Sequence, residues 1–180
     1  MRVERDELTI RSAELGDAER LNGWWNDGRV MAHAGFPNGL NEPLEQTVEA
    51  IKRNGTQLSQ CCIIECEGAP IGEMSYRIAG GSAEIGIKIC EFEYQDRGLG
   101  TRFLRMLIRF LFSEAGLGVE KVVLDTNLKN LRAQHVYEKL GFEKLRVNEN
   151  SWRDQLGQWQ SSVDYEMTRA RFEAQAWAKE

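Results

Sequence analysis

The chain has 180 residues, 42% of them hydrophobic and 28% charged, with 23 lysines and arginines against 28 aspartates and glutamates and a net charge of −5. That length and composition fit a single globular domain and exclude disordered, collagen-like and membrane-embedded chains. The acidic balance lacks the basic footprint that phosphate backbones require, so no nucleic acid is an expected partner. The deficit is also local. Between Cys61 and Asp96 lie seven acids (Glu65, Glu67, Glu73, Glu84, Glu91, Glu93, Asp96) and two bases (Arg77, Lys88), while the remainder is balanced. This stretch is either a solvated sheet face or the mouth of a site for cations.

The N-terminus has no apolar run of signal-peptide length, and nothing approaches the roughly 18 apolar residues of a membrane span, which points to the cytoplasm and to no membrane partner. Glu7 to Arg11 reads as a short strand, and Asp17 as the N-cap of a helix running to about Asn26. Asn26-Asp27-Gly28 and Gly35-Phe36-Pro37-Asn38-Gly39 are loop chemistry with at most a short helical turn between them. Pro43 suits the first turn of a second helix, which Asn54-Gly55 ends.

A meander follows. Cys61 to Cys66 is a strand, Glu67-Gly68-Ala69-Pro70 turns the chain, Ile71 to Ile78 returns it, and Gly80-Gly81 leads into Ala83 to Cys90. In that third strand Ala83, Ile85, Ile87 and Ile89 take one face, the core, while Glu84, Gly86, Lys88 and Cys90 take the other, polar one. The four cysteines (Cys61, Cys62, Cys66, Cys90) show no C-x-x-C spacing and lie far in sequence from His33 and His135, so they read as small buried residues and no metal site is expected.

From Gly98 to about Ala115 the period becomes helical, with Phe103, Leu104, Leu107, Ile108 and Leu111 on an apolar stripe and Arg102, Arg105 and Arg109 on another face. Lys121 to Thr126 is a buried strand, reached by a parallel crossover through that helix. Asn130 to Leu140 is a short helix stopped by Gly141, with Ala133, Val136, Tyr137 and Leu140 on its stripe. Phe142 to Asn148 and about Gln160 to Thr168 complete the sheet, with Trp152, Gly157 and Trp159 in the loop between them, and Arg169 to Glu180 reads as helical. No repeat or linker divides the chain. The expected architecture is a single α/β (α+β) domain over residues 1–180, with a mixed, mostly antiparallel central sheet of about seven strands and about four flanking helices.

The most informative stretch is Gln95-Asp96-Arg97-Gly98-Leu99-Gly100-Thr101, between a strand and the long helix. A helix N-terminus offers unpaired N–H groups and a positive dipole end, and glycines let an anion approach the backbone. A P-loop needs Lys-Ser/Thr where Thr101-Arg102 stand, and a Rossmann fingerprint needs a glycine at Phe103, so both nucleotide motifs fail. The plain alternative is that Gly98 and Gly100 only shape a tight turn.

Further on, a strand ends in Asp125-Thr126-Asn127, and Asn130 opens a helix that carries Tyr137 and ends at Gly141-Phe142. Together these segments resemble the GNAT superfamily of N-acetyltransferases. Gln95 to Gly100 matches its Q/R-x-x-G-x-G/A motif at every defined position, Asn130-x6-Tyr137-x3-Gly141-Phe142 is similar to its second cofactor-contacting segment, and the order of elements agrees from Leu8 to Thr168. The resemblance implies a GNAT-like sheet with splayed central strands and acetyl-CoA as cofactor. Its pyrophosphate would lie on the amides of Gln95, Asp96, Arg97, Gly98, Leu99, Gly100 and Thr101, with added charge from Arg97 and Arg102. Its pantetheine would run along Ile87, Lys88 and Ile89, hydrogen-bonded by Asn127 and Asn130, although Asn130 fits a simple N-cap equally well.

Acetyl transfer needs an acceptor amine that has lost a proton, N–H donors for the developing oxyanion, and a proton for the departing thiolate. The resemblance makes Tyr137 the general acid, against the alternative of a core tyrosine on an apolar stripe. Glu84, on the polar face of the central strand, is the candidate base, with Glu73 as rival and His33 as an outside candidate; a solvated surface carboxylate is the other reading of Glu84. The segment Leu21-Asn22-Gly23-Trp24-Trp25-Asn26-Asp27 resembles the branch containing ribosomal-protein N-terminal, spermidine and drug-acetylating enzymes, and Trp24 and Trp25 read as helix packing. The expected function is therefore direct acetylation of a primary amine, a protein N-terminus, polyamine or other small amine, and one that is cationic. The alternative is a non-catalytic acyl-CoA-binding sensor or interaction module. A homodimer is compatible with the resemblance.

Overall fold

The computed structural model describes residues 1–114 and 117–179, so Ala115 and Glu180, the far ends of two expected helices, lie outside the described residues. The strands are β1 (Arg2–Arg5), β2 (Leu8–Ser12), β3 (Gly55–Thr56), β4 (Ser59–Cys66), β5 (Ala69–Ala79), β6 (Ser82–Ile89), β7 (Lys121–Asn127), β8 (Glu143–Arg153) and β9 (Trp159–Thr168). The helices are α1 (Ala18–Trp25), α2 (Gly28–Met31), α3 (Leu44–Arg53), α4 (Leu99–Arg109), α5 (Leu131–Leu140) and α6 (Arg169–Glu173). One sheet runs in the order β1-β2-β4-β5-β6-β7-β9-β8, with β3 beside β4.

The mostly antiparallel α/β architecture is as expected, but the described residues hold nine strands and six helices rather than about seven and about four. The additions have weak sequence signals. β1 is Arg2-Val3-Glu4-Arg5, an exposed edge strand whose order comes from pairing with β2, not from an apolar face. β8 extends through Arg153 and takes Trp152 into the sheet, opposite Gln160. The C-terminal segment is not one helix. α6 ends at Glu173, and a 3-10 turn at Ala176–Ala178 buries Trp177, whose indole N–H donates to the Leu140 carbonyl at 3.2 Å.

Helices cover both faces. On one, the α4 stripe (Phe103, Leu104, Leu107, Ile108) packs with Val122, Leu124 and Tyr165 of the sheet and with α5. Each such fully buried side chain contributes about 2–3 kcal/mol relative to exposure. On the other face Leu21, Trp24 and Ile51 of α1 and α3 cover Cys61, Ile63 and Cys90. The face of the third meander strand expected to be polar is therefore dry at its Cys90 end. Burial also pushes the Cys61, Cys62 and Cys90 thiols far up, Cys62 to about 12, so they stay protonated.

Two expected roles shift. Asp17 stands at the N-cap of α1 without capping it, because its carboxylate is held by Arg11 at 2.7 and 2.8 Å and by the Glu14 N–H. The three α4 arginines act as staples: Arg102 pairs with Glu7 and Asp6, Arg105 lies over the Trp177 ring, and Arg109 donates to the Trp177 carbonyl.

The feature that creates the site is the β6–β7 junction. β6 pairs with β5 along its whole length, and β7 pairs with β9 along its whole length. β6 and β7 run parallel, as the crossover through α4 dictates, but pair only over Ser82–Lys121, Ala83–Val122 and Glu84–Val123. Beyond Glu84 the two strands part.

Candidate active site

The parted strands open a cleft of about 860 Å³. Ile85 to Ile89 of β6 form one wall, Asp125 to Asn127 of β7 the other, and the start of α4 lies at one end. Arg29 and His33 from the α2 region and Trp152 from β8 complete the lining. The segment beside Trp152 is locked across the chain. Trp152 fills the space a side chain at Gly35 would need, Gln155 donates its N–H to the Gly35 carbonyl at 2.8 Å, and its side-chain amide donates to the Gly39 carbonyl at 2.9 Å.

The α4 end is built for an anion. Asp96 and Gly98 both adopt left-handed backbone conformations (φ 58° and 72°), and α4 begins at Leu99 with no side-chain cap. Among the described residues, no protein acceptor takes the N–H groups of Asp96, Arg97, Gly98, Leu99, Gly100 or Thr101. A Cβ built on Gly98 or Gly100 would meet nothing within 4 Å, so no protein group crowds these two residues. A row of free donors at a helix N-terminus, with room in front of it, fits a pyrophosphate. Gln95 anchors the loop, donating from its side chain to the Ile89 carbonyl at 2.9 Å.

The expected site residues fall into three groups. Ile87, Lys88, Ile89, Gln95, Asp96, Gly98, Leu99, Gly100, Thr101, Asn127, Asn130 and Tyr137 all line the cleft. Within that group Asn127 is occupied by structure, accepting from the Lys129 N–H and donating to Gln160, and Asn130 caps α5 by accepting from the Ala133 N–H at 3.2 Å. Arg97 lies over the Tyr94 ring at 5.3 Å, outside the lining, and Arg102 is drawn to the N-terminal hairpin. The cation that does reach the cradle is Arg132, from the first turn of α5, paired with Asp96 at 3.2 Å.

Tyr137 is 8% exposed, and no described residue hydrogen-bonds its hydroxyl. Burial first, then the Asp125 charge, push its phenol up to about 12, so it holds its proton at neutral pH. The two carboxylates proposed as bases lie elsewhere. Glu84 is paired with Arg77 at 2.6 Å and Glu73 with Lys88 at 2.9 Å. Both line a second cleft of about 800 Å³, between α3 and the sheet, that shares Ile85, Gly86 and Lys88 with the first. Burial works against the Lys88 charge, but Glu73 outweighs it and holds the ammonium above its ordinary range. Arg29, Asp125, Arg132 and Trp152 were not singled out as site residues from sequence. Only Asp125, two residues before the motif residue Asn127, carried any signal.

Free amides at a helix head, a gap between parallel strands and an unpartnered phenol beside it are features that a coenzyme A-dependent acyltransferase can use. Residues 7–143 match the model of the acetyltransferase (GNAT) domain, and the chain belongs to that family. It is similar to aminoglycoside N(6')-acetyltransferase type 1 of Klebsiella pneumoniae, 26% identical over 155 residues that cover 77% of this chain and 75% of that one. It is also similar to spermidine N(1)-acetyltransferase of Escherichia coli K12, 28% identical over 144 residues, 75% and 72% of the two chains. Its fold matches a solved spermidine N-acetyltransferase from Vibrio cholerae in complex with CoA and spermine, with a TM-score of 0.80, 20% identity, and coverage of 93% of this chain and 98% of that one. The protein is an N-acetyltransferase, and its acyl donor is acetyl-CoA.

Proposed function

We propose that this N-acetyltransferase acetylates a cationic primary amine of the polyamine or aminosugar kind. The observation that carries the cofactor half of the reading is the run of amides from Asp96 to Thr101 with no protein acceptor, opening on the gap between β6 and β7. Those amides, with Arg132 beside them, hold the pyrophosphate. The β6 edge from Ile85 to Ile89, unpaired with β7, offers backbone groups to the pantetheine arm. Acetyl-CoA supplies an activated thioester. Tyr137, protonated and facing the cleft, supplies the proton that the departing sulfur needs.

The acceptor half rests on charge. The acids Glu73 and Glu84 line the adjoining cleft with Glu42, Glu45 and Glu49, and Asp125 faces the main one. The named relatives at 26% and 28% identity act on aminoglycosides and spermidine, both polycationic amines. We place the activity in the cytoplasm, and a homodimer is the assembly we expect; among the described residues no helix is long and apolar enough to cross a membrane.

Thiol release from acetyl-CoA, measured over a panel of polyamines, aminoglycosides, amino acids and N-terminal peptides, tests the reading. Turnover is expected with polycationic amines, with an apparent KM that rises with salt. CoA binding without turnover of any amine overturns it in favour of a binding module.

A further inference from the structure

The carboxylates near the splay differ in what already holds them. Glu84 is engaged by Arg77, and Glu73 by Lys88. The cleft that carries Tyr137 is lined by two carboxylates, Asp96 and Asp125, and Asp96 is engaged by Arg132. Among the described residues, no cation and no side-chain donor lies within bonding distance of Asp125. Its nearest charges are of its own sign. Asp164, its partner across β7 and β9, is neutralised by Arg146 at 2.7 Å and by the Asn148 amide at 2.9 Å.

Position sharpens the contrast. Along β7, Val122 and Leu124 enter the core, so Asp125 faces the opposite side of the sheet, two residues past the last β6–β7 pair. Tyr137 rises from α5 on the core side. The gap between the strands joins the two, and both residues line it. A donor entering over α4 and an acceptor entering past Asp125 would meet there. Asp125 is exposed at the gap, so water holds its charge in the free protein; partial loss of hydration, followed by the charges of Asp164 and Glu84, raises its carboxyl, and an arriving cation offsets that repulsion.

We propose that Asp125 is the carboxylate that receives the acceptor's ammonium group and takes its proton, in place of Glu84 or Glu73. This rests on the acetyltransferase reading above. The ammonium gives one proton to Asp125, which releases it to solvent. The freed lone pair attacks the thioester carbonyl, so a C–N bond forms and the C–S bond breaks. Sulfur leaves with that electron pair and takes a proton from Tyr137, and the phenol recovers one from the amine nitrogen. The products are the amide, free CoA and one proton.

The test compares wild type with Asp125→Asn, Asp125→Glu and Glu84→Gln, using the panel amine that wild type turns over fastest. Calorimetry of CoA binding, and of spermidine binding to the CoA complex, supplies readouts independent of turnover. Asp125→Asn is expected to lower kcat/KM for the amine about 100-fold and to weaken spermidine binding, with CoA affinity held within about two-fold. Asp125→Glu recovers part of the loss, and Glu84→Gln lowers kcat/KM for the amine far less than Asp125→Asn does. If Asp125→Asn turns over and binds spermidine like wild type, or loses CoA affinity in the same proportion as activity, the assignment is overturned. A collapse in Glu84→Gln alone moves the role to Glu84. A wild type that binds CoA but turns over no amine overturns the reading on which the proposal stands, a different result from any of these.

Discussion

Lys88 and Glu73 face each other across β5 and β6 in direct register, and the Lys88 ammonium lies 2.9 Å from the Glu73 carboxylate on the partition between the two clefts. Glu73 is 7% exposed, so it depends on that single cation. Lys88→Met therefore strands a buried carboxylate and is expected to cost about 3 kcal/mol, whereas the double variant with Glu73→Leu costs less than the single one. Denaturant unfolding of the three proteins measures this directly. A double variant less stable than Lys88→Met would show that the pair itself, and not the stranded charge, supplies the stability.

Arg11 offers a second electrostatic test, remote from the cleft. It grips Asp17 through two bonds at 2.7 and 2.8 Å and Glu65 through one at 2.7 Å, tying β2 to β4 and to the start of α1. The guanidinium holds the Asp17 carboxyl below its ordinary 3.8. A depressed carboxyl stabilises the fold above its unfolded pKa and loses that contribution as pH falls through the lower, folded value. Wild type should thus lose stability below about pH 4, and Asp17→Asn should show a shallower acid limb from a lower plateau. Acid titration followed by circular dichroism checks both features.

The first turn of α4 can be stiffened without closing the cradle. Gly100 lies in the first turn of α4, and a Cβ there meets nothing within 4 Å. Gly100→Ala should leave stability unchanged or raise it by up to about 1 kcal/mol, since alanine is the better helix former. The motif position accepts glycine or alanine, so CoA affinity should stay within about two-fold. Calorimetry beside thermal unfolding checks both statements.

Tyr137→Phe removes the phenol and keeps the ring contacts with Phe142 and Tyr165, at centroid distances of 6.0 and 5.6 Å. CoA affinity is expected to hold while kcat falls about 100-fold. With the phenol raised to about 12, Tyr137 remains a donor through neutral and mildly alkaline pH. The wild-type kcat profile should therefore show no basic limb from this group below about pH 10. Stopped-time thiol assays across pH test both statements.

What was legible in the sequence follows from how locally each feature is encoded. The cradle could be read because Gly98 and Gly100 are constrained by backbone geometry within a few residues, and the crossover because parallel strands require one. The apolar stripe of α4 was equally plain. Helical spacing, however, shows which face Arg102 occupies but not that Asp6 and Glu7 lie opposite it. The rest of the cleft lining was illegible for the same reason: Arg29, Asp125 and Trp152 come from distant segments and meet only in three dimensions. Periodicity placed Glu84 on a polar face without revealing that Arg77 already holds it.

The cofactor is expected to lie with its phosphates on the α4 amides and its sulfur in the gap between β6 and β7. A crystal structure of the CoA complex tests this. It should show pyrophosphate oxygens bonded to N–H groups between Asp96 and Thr101, pantetheine along Ile85 to Ile89, and the thiol beside the Tyr137 hydroxyl with Asp125 facing it across the gap. CoA bound in the second cleft, or with its thiol remote from Tyr137, would contradict it.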